Sequence, residues 1–298
     1  MTPPQEKKHI LLTGASGFLG WNTLFVGHQQ HHFDCISLNN PVPFKQKQVK
    51  CDLSKENELT SALKKNTYNA IMHFAAISDP NTCQEQASYS KKVNVEATKL
   101  LCRFASDQNI PFIFASSDLV FDGKKGDYTE QDPPNPVSHY GEHKAIAEQL
   151  ILELYPEKST VCRVPLLFGE GDTPKNALYQ IITQLKNNKQ LNLFTDEYRT
   201  PARAKTIAEF LLSNSDIQPG LLHLGGKEKV SRADMGFGIC ETFGYNESLI
   251  HTCLQSDVKM SAPRPKDVSL NSLLATSQGY QQPSFKTELE SISDFLKL

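Results

Sequence analysis

No stretch of this sequence stays apolar for the ~18 residues that a membrane crossing needs. The opening residues, MTPPQEKKHI, hold no apolar core of signal-peptide length, so a cytoplasmic protein is expected. Charge of one sign is missing as well. The net charge of -2 gives no electrostatic case for nucleic acid or an anionic membrane as a partner. The seven cysteines (Cys35, Cys51, Cys83, Cys102, Cys162, Cys240 and Cys253) never form a C-x-x-C pair. That argues against a zinc site or a disulfide framework, and suits small core residues in a reducing compartment. No cluster of carboxylates or histidines compels a metal, and no internal repeat or low-complexity tract interrupts the chain.

What is present is ordinary globular material. With 39% apolar and 21% charged residues, 298 residues suit one large domain, or one domain with a smaller lobe. Short apolar runs alternate with longer helical patterns through the first half. HILLT (residues 9–13), CISL (35–38), VKCDL (49–53), AIMHFAA (70–76), PFIFASS (111–117) and TVCRVPLLF (160–168) read as strands. Helical periodicity marks 18–29, 88–107 and 138–155. Nearly continuous apolar strands separated by helices imply a parallel sheet covered on both faces. After Phe168 the pattern loosens, with helices expected at 176–187, 203–213, 232–243 and 285–296. LLHLGG (221–226) reads as a strand returning to the main sheet. The expected architecture is α/β: a Rossmann-like doubly wound parallel sheet over 1–168, rejoined by about 204–226, and a smaller α/β substrate-binding lobe over 169–298.

LLTGASGFLG places Gly14, Gly17 and Gly20 directly after the first strand and at the mouth of a helix. In that context the glycines allow a tight turn, a close approach to a pyrophosphate and close helix–strand packing. The helix N-terminus offers free N–H groups to the phosphates. Ser16, Phe18 and Leu19 belong to the same loop and helix start. After the second strand, an acid would bind the ribose hydroxyls of NAD. Asn39 and Asn40 stand there instead, with Lys45 and Lys47 nearby. NADP is therefore expected, with NAD as the alternative. Asp52 and Leu53 follow the third strand, where they would border the adenine.

YGEHK sets Tyr140 four residues before Lys144, one helical turn apart on the same face. An ammonium beside a phenol lowers its pKa from about 10, towards a usable acid–base group. Chance alone supplies roughly 0.8 such pairs in a chain of this composition. The surroundings must therefore decide its meaning.

Those surroundings resemble the extended short-chain dehydrogenase/reductase family: TGASGFLG, HFAAIS, FASSDLVFDG, YGEHK and RVPLLFG occur in its order and approximate spacing. SSDLVFDGKKGDYTEQDPPNPVSHYGEHKAIAE and APRPKDVSLN look closest to its dTDP-4-dehydrorhamnose reductase branch. The resemblance implies Tyr140 as proton donor and Lys144 as its partner, which also binds the nicotinamide ribose. Ser117 would be the hydroxyl that meets the substrate oxygen, with Ser116 as its rival. It further implies Ala75, Ala76 and Pro165 beside the cofactor, and Asp118, Asn176, Arg199 and Arg264 towards a nucleotide-sugar substrate. Leu119 replaces the glutamate that dehydratases of the family use as a base, so a reductase of a 4-keto-6-deoxy sugar is expected. Helices 88–107 and 138–155 resemble those of the family's four-helix homodimer contact. One relative of the branch is a regulatory subunit of methionine adenosyltransferase, which leaves a non-catalytic, NADP-binding role as the alternative.

Overall fold

The computed structural model describes residues 7–171, 176–213, 217–293 and 295. Strands are β1 (His9–Thr13), β2 (His32–Ser37), β3 (Lys47–Lys50), β4 (Ala70–His73), β5 (Phe112–Ser117), β6 (Ser159–Val164), β7 (Leu167–Phe168), β8 (Leu191–Phe194), β9 (Tyr198–Arg199), β10 (Ala202–Arg203), β11 (Gly220–His223), β12 (Val230–Ser231) and β13 (Ile250–Cys253). The helices used below are α1 (Phe18–Gly27), α2 (Glu56–Leu63), α3 (Pro80–Glu85), α4 (Ala87–Lys91), α5 (Ala97–Asp107), α6 (His139–Leu154), α7 (Ala177–Lys186), α8 (Ala204–Ser213) and α9 (Arg232–Phe243).

The main sheet has seven strands in the order β11-β6-β5-β4-β1-β2-β3, with every pairing parallel. The order reverses between β1 and β4, and that switch point opens a crevice at the C-terminal strand ends. One face buries Leu12, Leu24, Phe33, Ile207 and Leu211, which seat α1 and α8. The other buries Leu11, Leu59, Ile71, Leu101, Phe114 and Ile151, which seat α2, α5 and α6. Each such side chain contributes roughly 1.5–3 kcal/mol by leaving water.

A separate apolar cluster around Phe168, Ile181, Ile182, Met235, Ile239 and Ile250 forms the core of the C-terminal lobe. There the short parallel pair β8–β13 leans on α7 and α9. The strand expected at 160–168 breaks at Pro165, which cannot donate to a ladder, and resumes as β7. The strands expected at 49–53 and 70–76 end early, at Lys50 and His73, because their last residues turn into the cavity-lining loops. The helical run of 88–107 is α4 and α5 joined by a π-helical turn at Lys92–Glu96. Among the described residues no helix is long and apolar enough to cross a membrane.

Candidate active site

The crevice at the switch point is a cavity of about 1240 Å³ that runs from α1 to the C-terminal lobe. Its end at α1 is built by the loop from Gly14 to Gly20. α1 is capped at Gly17 by no side chain and has no acid in its first turn. Its leading N–H groups therefore have no side-chain competitor for an anion, which fits a pyrophosphate. Gly14, Ser16, Gly17, Phe18, Leu19 and Gly20 all line this end. Asn39, Asp52, Leu53, Ala75, Ala76 and Pro165 line it further along. Lys47 does not reach in, since it donates to Asp34 at 2.9 Å. Lys45 is likewise not among the lining residues. The expected lysine contribution to a 2′-phosphate is thus not seen, because the buried Asp34 draws Lys47 to itself.

The loop after β4 is held by the π-helical turn. Asn94 accepts from the Ile77 N–H at 2.9 Å and donates to the Ile77 carbonyl at 3.0 Å. Such turns often sit where a helix must aim a side chain at a site. Nothing in the hydrophobic periodicity marked Asn94.

Tyr140, Lys144 and Ser117 converge at the middle of the cavity. Ser138 caps α6 by accepting from the Gly141 N–H. Gly141 lets the helix press onto the turn after β5, since a Cβ there would fall 2.1 Å from the Leu119 carbonyl oxygen. That approach sets Tyr140 beside Ser117, Asp118 and Cys83. Lys144 Nζ donates to the Ala115 carbonyl at 2.7 Å. The rival hydroxyl is engaged elsewhere: Ser116 donates to Glu148, which is itself paired with Arg163.

The electrostatics depart from the sequence expectation. Burial pushes the Tyr140 phenol well above its ordinary value, and the neighbouring Ser117 hydroxyl only partly opposes this. Burial also pulls Lys144 down to about 7, against the pull of Glu148 and Cys83. The phenol is not made more acidic here, because its burial outweighs the opposing pull of Ser117 and Arg199.

At the end towards the C-terminal lobe the cavity is lined by Asp118, Glu197, Arg199, Arg232 and Arg264. Asp118 and Arg199, both expected to meet substrate, meet each other at 2.7 Å and are buried. Arg264 is half-buried, with its terminal nitrogens on the Ala262 carbonyl and Asn81 Oδ1. Asn176 is displaced from the expected role. It is fully buried, does not line the cavity, and serves as the cap of α7, accepting from the Leu178 N–H and donating to the Gly169 carbonyl. A short polar side chain before a helix is a better cap than a ligand when its oxygen faces the first turn. Sequence reasoning missed Glu197 and Arg232. Only Arg232 had a signal, as the first residue of a helix behind the capping pattern SRAD. Among the described residues no group of His, Cys, Asp or Glu is arranged to hold a metal.

Residues 8–297 match the family model described as RmlD substrate binding domain. The chain is 28% identical over 291 residues to the probable low-salt glycan biosynthesis reductase Agl14 of Haloferax volcanii, covering 95% of this chain and 97% of that protein. It is also 28% identical over 302 residues to the methionine adenosyltransferase 2 subunit beta of Mus musculus, covering 97% and 88%. Among solved structures, the dTDP-4-dehydrorhamnose reductase of Yersinia enterocolitica superposes with a TM-score of 0.85 at 22% identity, covering 97% and 100%. That likeness extends to the fold.

Proposed function

Because the chain belongs to the RmlD substrate binding domain family, we propose that it is an NADPH-dependent reductase of a nucleotide-linked 4-keto-6-deoxy sugar. The observation that carries this reading is that Tyr140, Ser117 and Lys144 line one cavity together with the uncapped start of α1. The loop of Gly14 to Gly20 would hold the pyrophosphate, and Lys144 the nicotinamide ribose. A dinucleotide held by these residues would supply the hydride chemistry.

The chain's own residues handle the oxygen. Tyr140, held protonated by burial, is in the form needed to give its proton to the oxygen as the carbonyl is reduced to a hydroxyl. Ser117 stabilises the charge that develops on that oxygen. The resulting phenolate takes a proton back from solvent. Arg264, half-buried at the far end, suits a phosphate of the substrate. The absence of a glutamate after Asp118 fits a reductase better than a dehydratase.

The test is to incubate the protein with NADPH and a panel of 4-keto nucleotide sugars while following the nicotinamide absorbance. Oxidation that falls on the order of 10²–10⁴-fold in Tyr140→Phe, with NADPH binding unchanged, supports the reading. A second reading is favoured by the mouse relative, whose identity equals that of the glycan reductase. In it the chain is an NADP-binding accessory subunit, since an intact fold and site do not guarantee turnover. Tight NADP binding with silence across the whole panel would select it.

A further inference from the structure

Beneath Tyr140 a run of charged side chains crosses from one lobe to the other. Ser117 Oγ donates to Asp118 Oδ1 at 3.1 Å and accepts from the Leu119 N–H at 3.2 Å. Arg199 Nη1 donates to the other Asp118 oxygen at 2.7 Å. Arg199 Nη2 reaches Glu197 Oε1 at 3.4 Å, and Arg232 Nε donates to that same oxygen at 3.0 Å. Asp118 follows β5 of the main sheet, whereas Arg199 ends β9 and Arg232 opens α9 in the C-terminal lobe.

We propose that Arg199 is a positioning residue: by pairing with Asp118 across the cleft it weakens the hold of Asp118 on the Ser117 proton, so that a substrate oxygen can compete for it, and it is not itself a phosphate ligand. This rests on the reductase reading of the same site. The physical conflict is local. A bare carboxylate accepts a hydrogen bond about twice as strongly as a neutral oxygen does. Left unpaired, Asp118 would keep the Ser117 proton and add a negative charge beside the phenol. Arg199 occupies the Asp118 oxygen that Ser117 does not use. Its terminal nitrogens are taken by two carboxylates, Asp118 and Glu197, and its Nε is buried without a partner, so its charge is already paired within the protein. Arg232 keeps its terminal nitrogens clear of the Glu197 contact, and Arg264, in the same wall, bonds only the neutral Ala262 and Asn81 oxygens. Phosphate recognition therefore has other donors. The groups facing Tyr140 are Ser117, Asp118, Cys83 of α3 and Arg199, with Lys144 one turn away.

The experiment measures NADPH oxidation between pH 6 and 9 for Arg199→Gln, Asp118→Asn, the double variant and Arg199→Lys. Arg199→Gln should lose about 100-fold in kcat, with KM within about threefold and its activity shifted to the acid side, where Asp118 is protonated. The double variant should regain at least about tenfold over Arg199→Gln, and Arg199→Lys should exceed Arg199→Gln throughout. A raised KM with kcat held, or a double variant no faster than Arg199→Gln, overturns the proposal. If the wild type oxidises no NADPH, the reductase reading fails by itself. Thermal unfolding of Ser117→Ala, Arg199→Gln and their combination, with and without Asp118→Asn, then decides. Losses in Tm that are less than additive, and become additive once Asp118 is Asn, support the chain; additive losses in both backgrounds overturn it. Should Arg199→Gln not fold, Arg199→Lys enters the same cycle in its place.

Discussion

Lys144 Nζ sits on the carbonyl oxygen of Ala115 at 2.7 Å, so the only direct hydrogen bond seen for this ammonium among the described residues ties α6 to the end of β5. Its charge also lies 4.4 Å from the Phe114 ring centroid. Neither contact replaces water, and burial lowers the group from 10.5 to about 7. Between those two values the unfolded chain keeps a proton that the folded chain has given up. Stability contributed by this site therefore rises with pH from about 7 to 10.5, and the full cost is present below 7. Lys144→Met should stabilise the protein at pH 6, by an amount on the order of a few kcal/mol, and progressively less towards pH 10. Urea unfolding at the two pH values checks this, and an equal gain at both would refute the assigned shift.

The two adjacent serines should separate cleanly. Ser117 lines the cavity with Tyr140 and bonds Asp118, while Ser116 belongs to a buried chain through Glu148 and Arg163 to His223, whose Nδ1 in turn meets the Tyr128 carbonyl. Ser117→Ala should cost at least about 100-fold in NADPH oxidation. Ser116→Ala should keep turnover within about twofold and lose about 1–2 kcal/mol of stability, because Glu148 loses one of its buried donors. Turnover and denaturant midpoints measured on both variants check this. The reverse pattern would exchange their roles.

The parts readable from sequence were those encoded by neighbours in the chain. The glycine loop follows β1 and opens α1 within one short segment, and Tyr140 and Lys144 share a face because a helix has a fixed pitch. What could not be read was set by distant partners. Nothing local says that Arg199 meets Asp118, or that Lys47 is claimed by Asp34. Asn176 carries the same side chain whether it caps a helix or binds a sugar, and only the fold aims it at α7. The pKa inversion at Tyr140 has the same origin, since burial belongs to the assembled site and not to YGEHK.

Gly17 and Gly20 should fail in different ways. A Cβ on Gly20 would stand 2.2 Å from the Gly14 carbonyl oxygen and 2.9 Å from the Ala15 Cα, so backbone must move. Gly20→Ala should lose about 1–3 kcal/mol or more of stability even without cofactor. A Cβ on Gly17 meets the Gly14 oxygen at 3.1 Å, and its φ of -82° admits alanine. Gly17→Ala should keep its Tm within a few degrees while NADPH affinity falls at least about tenfold, because the methyl takes space meant for phosphate. Calorimetry and fluorescence titration read the two effects. NADPH binding at wild-type strength in Gly17→Ala would remove the glycine loop from the cofactor site.

Asn39 offers the sharpest test of cofactor choice. The segment Ile36–Asn40 lines the cavity without a carboxylate, and its shape is fixed by Ser37 Oγ donating to the Asn40 carbonyl at 2.6 Å. Asp34, the acid on β2, is turned away among Lys47, Asn66 and Tyr68. Asp52 does line the cavity, but its carboxylate is bonded to Ser54. A new carboxylate about 4 Å from a 2′-phosphate would repel it by roughly 1–4 kcal/mol per unit charge, depending on how much water intervenes. The same oxygen could accept from the ribose hydroxyls of NADH. Asn39→Asp should therefore weaken NADPH at least about tenfold and leave NADH equal or tighter. Titrating both dinucleotides against wild type and variant gives the ratio directly, and an unchanged ratio would place the 2′-phosphate away from Asn39.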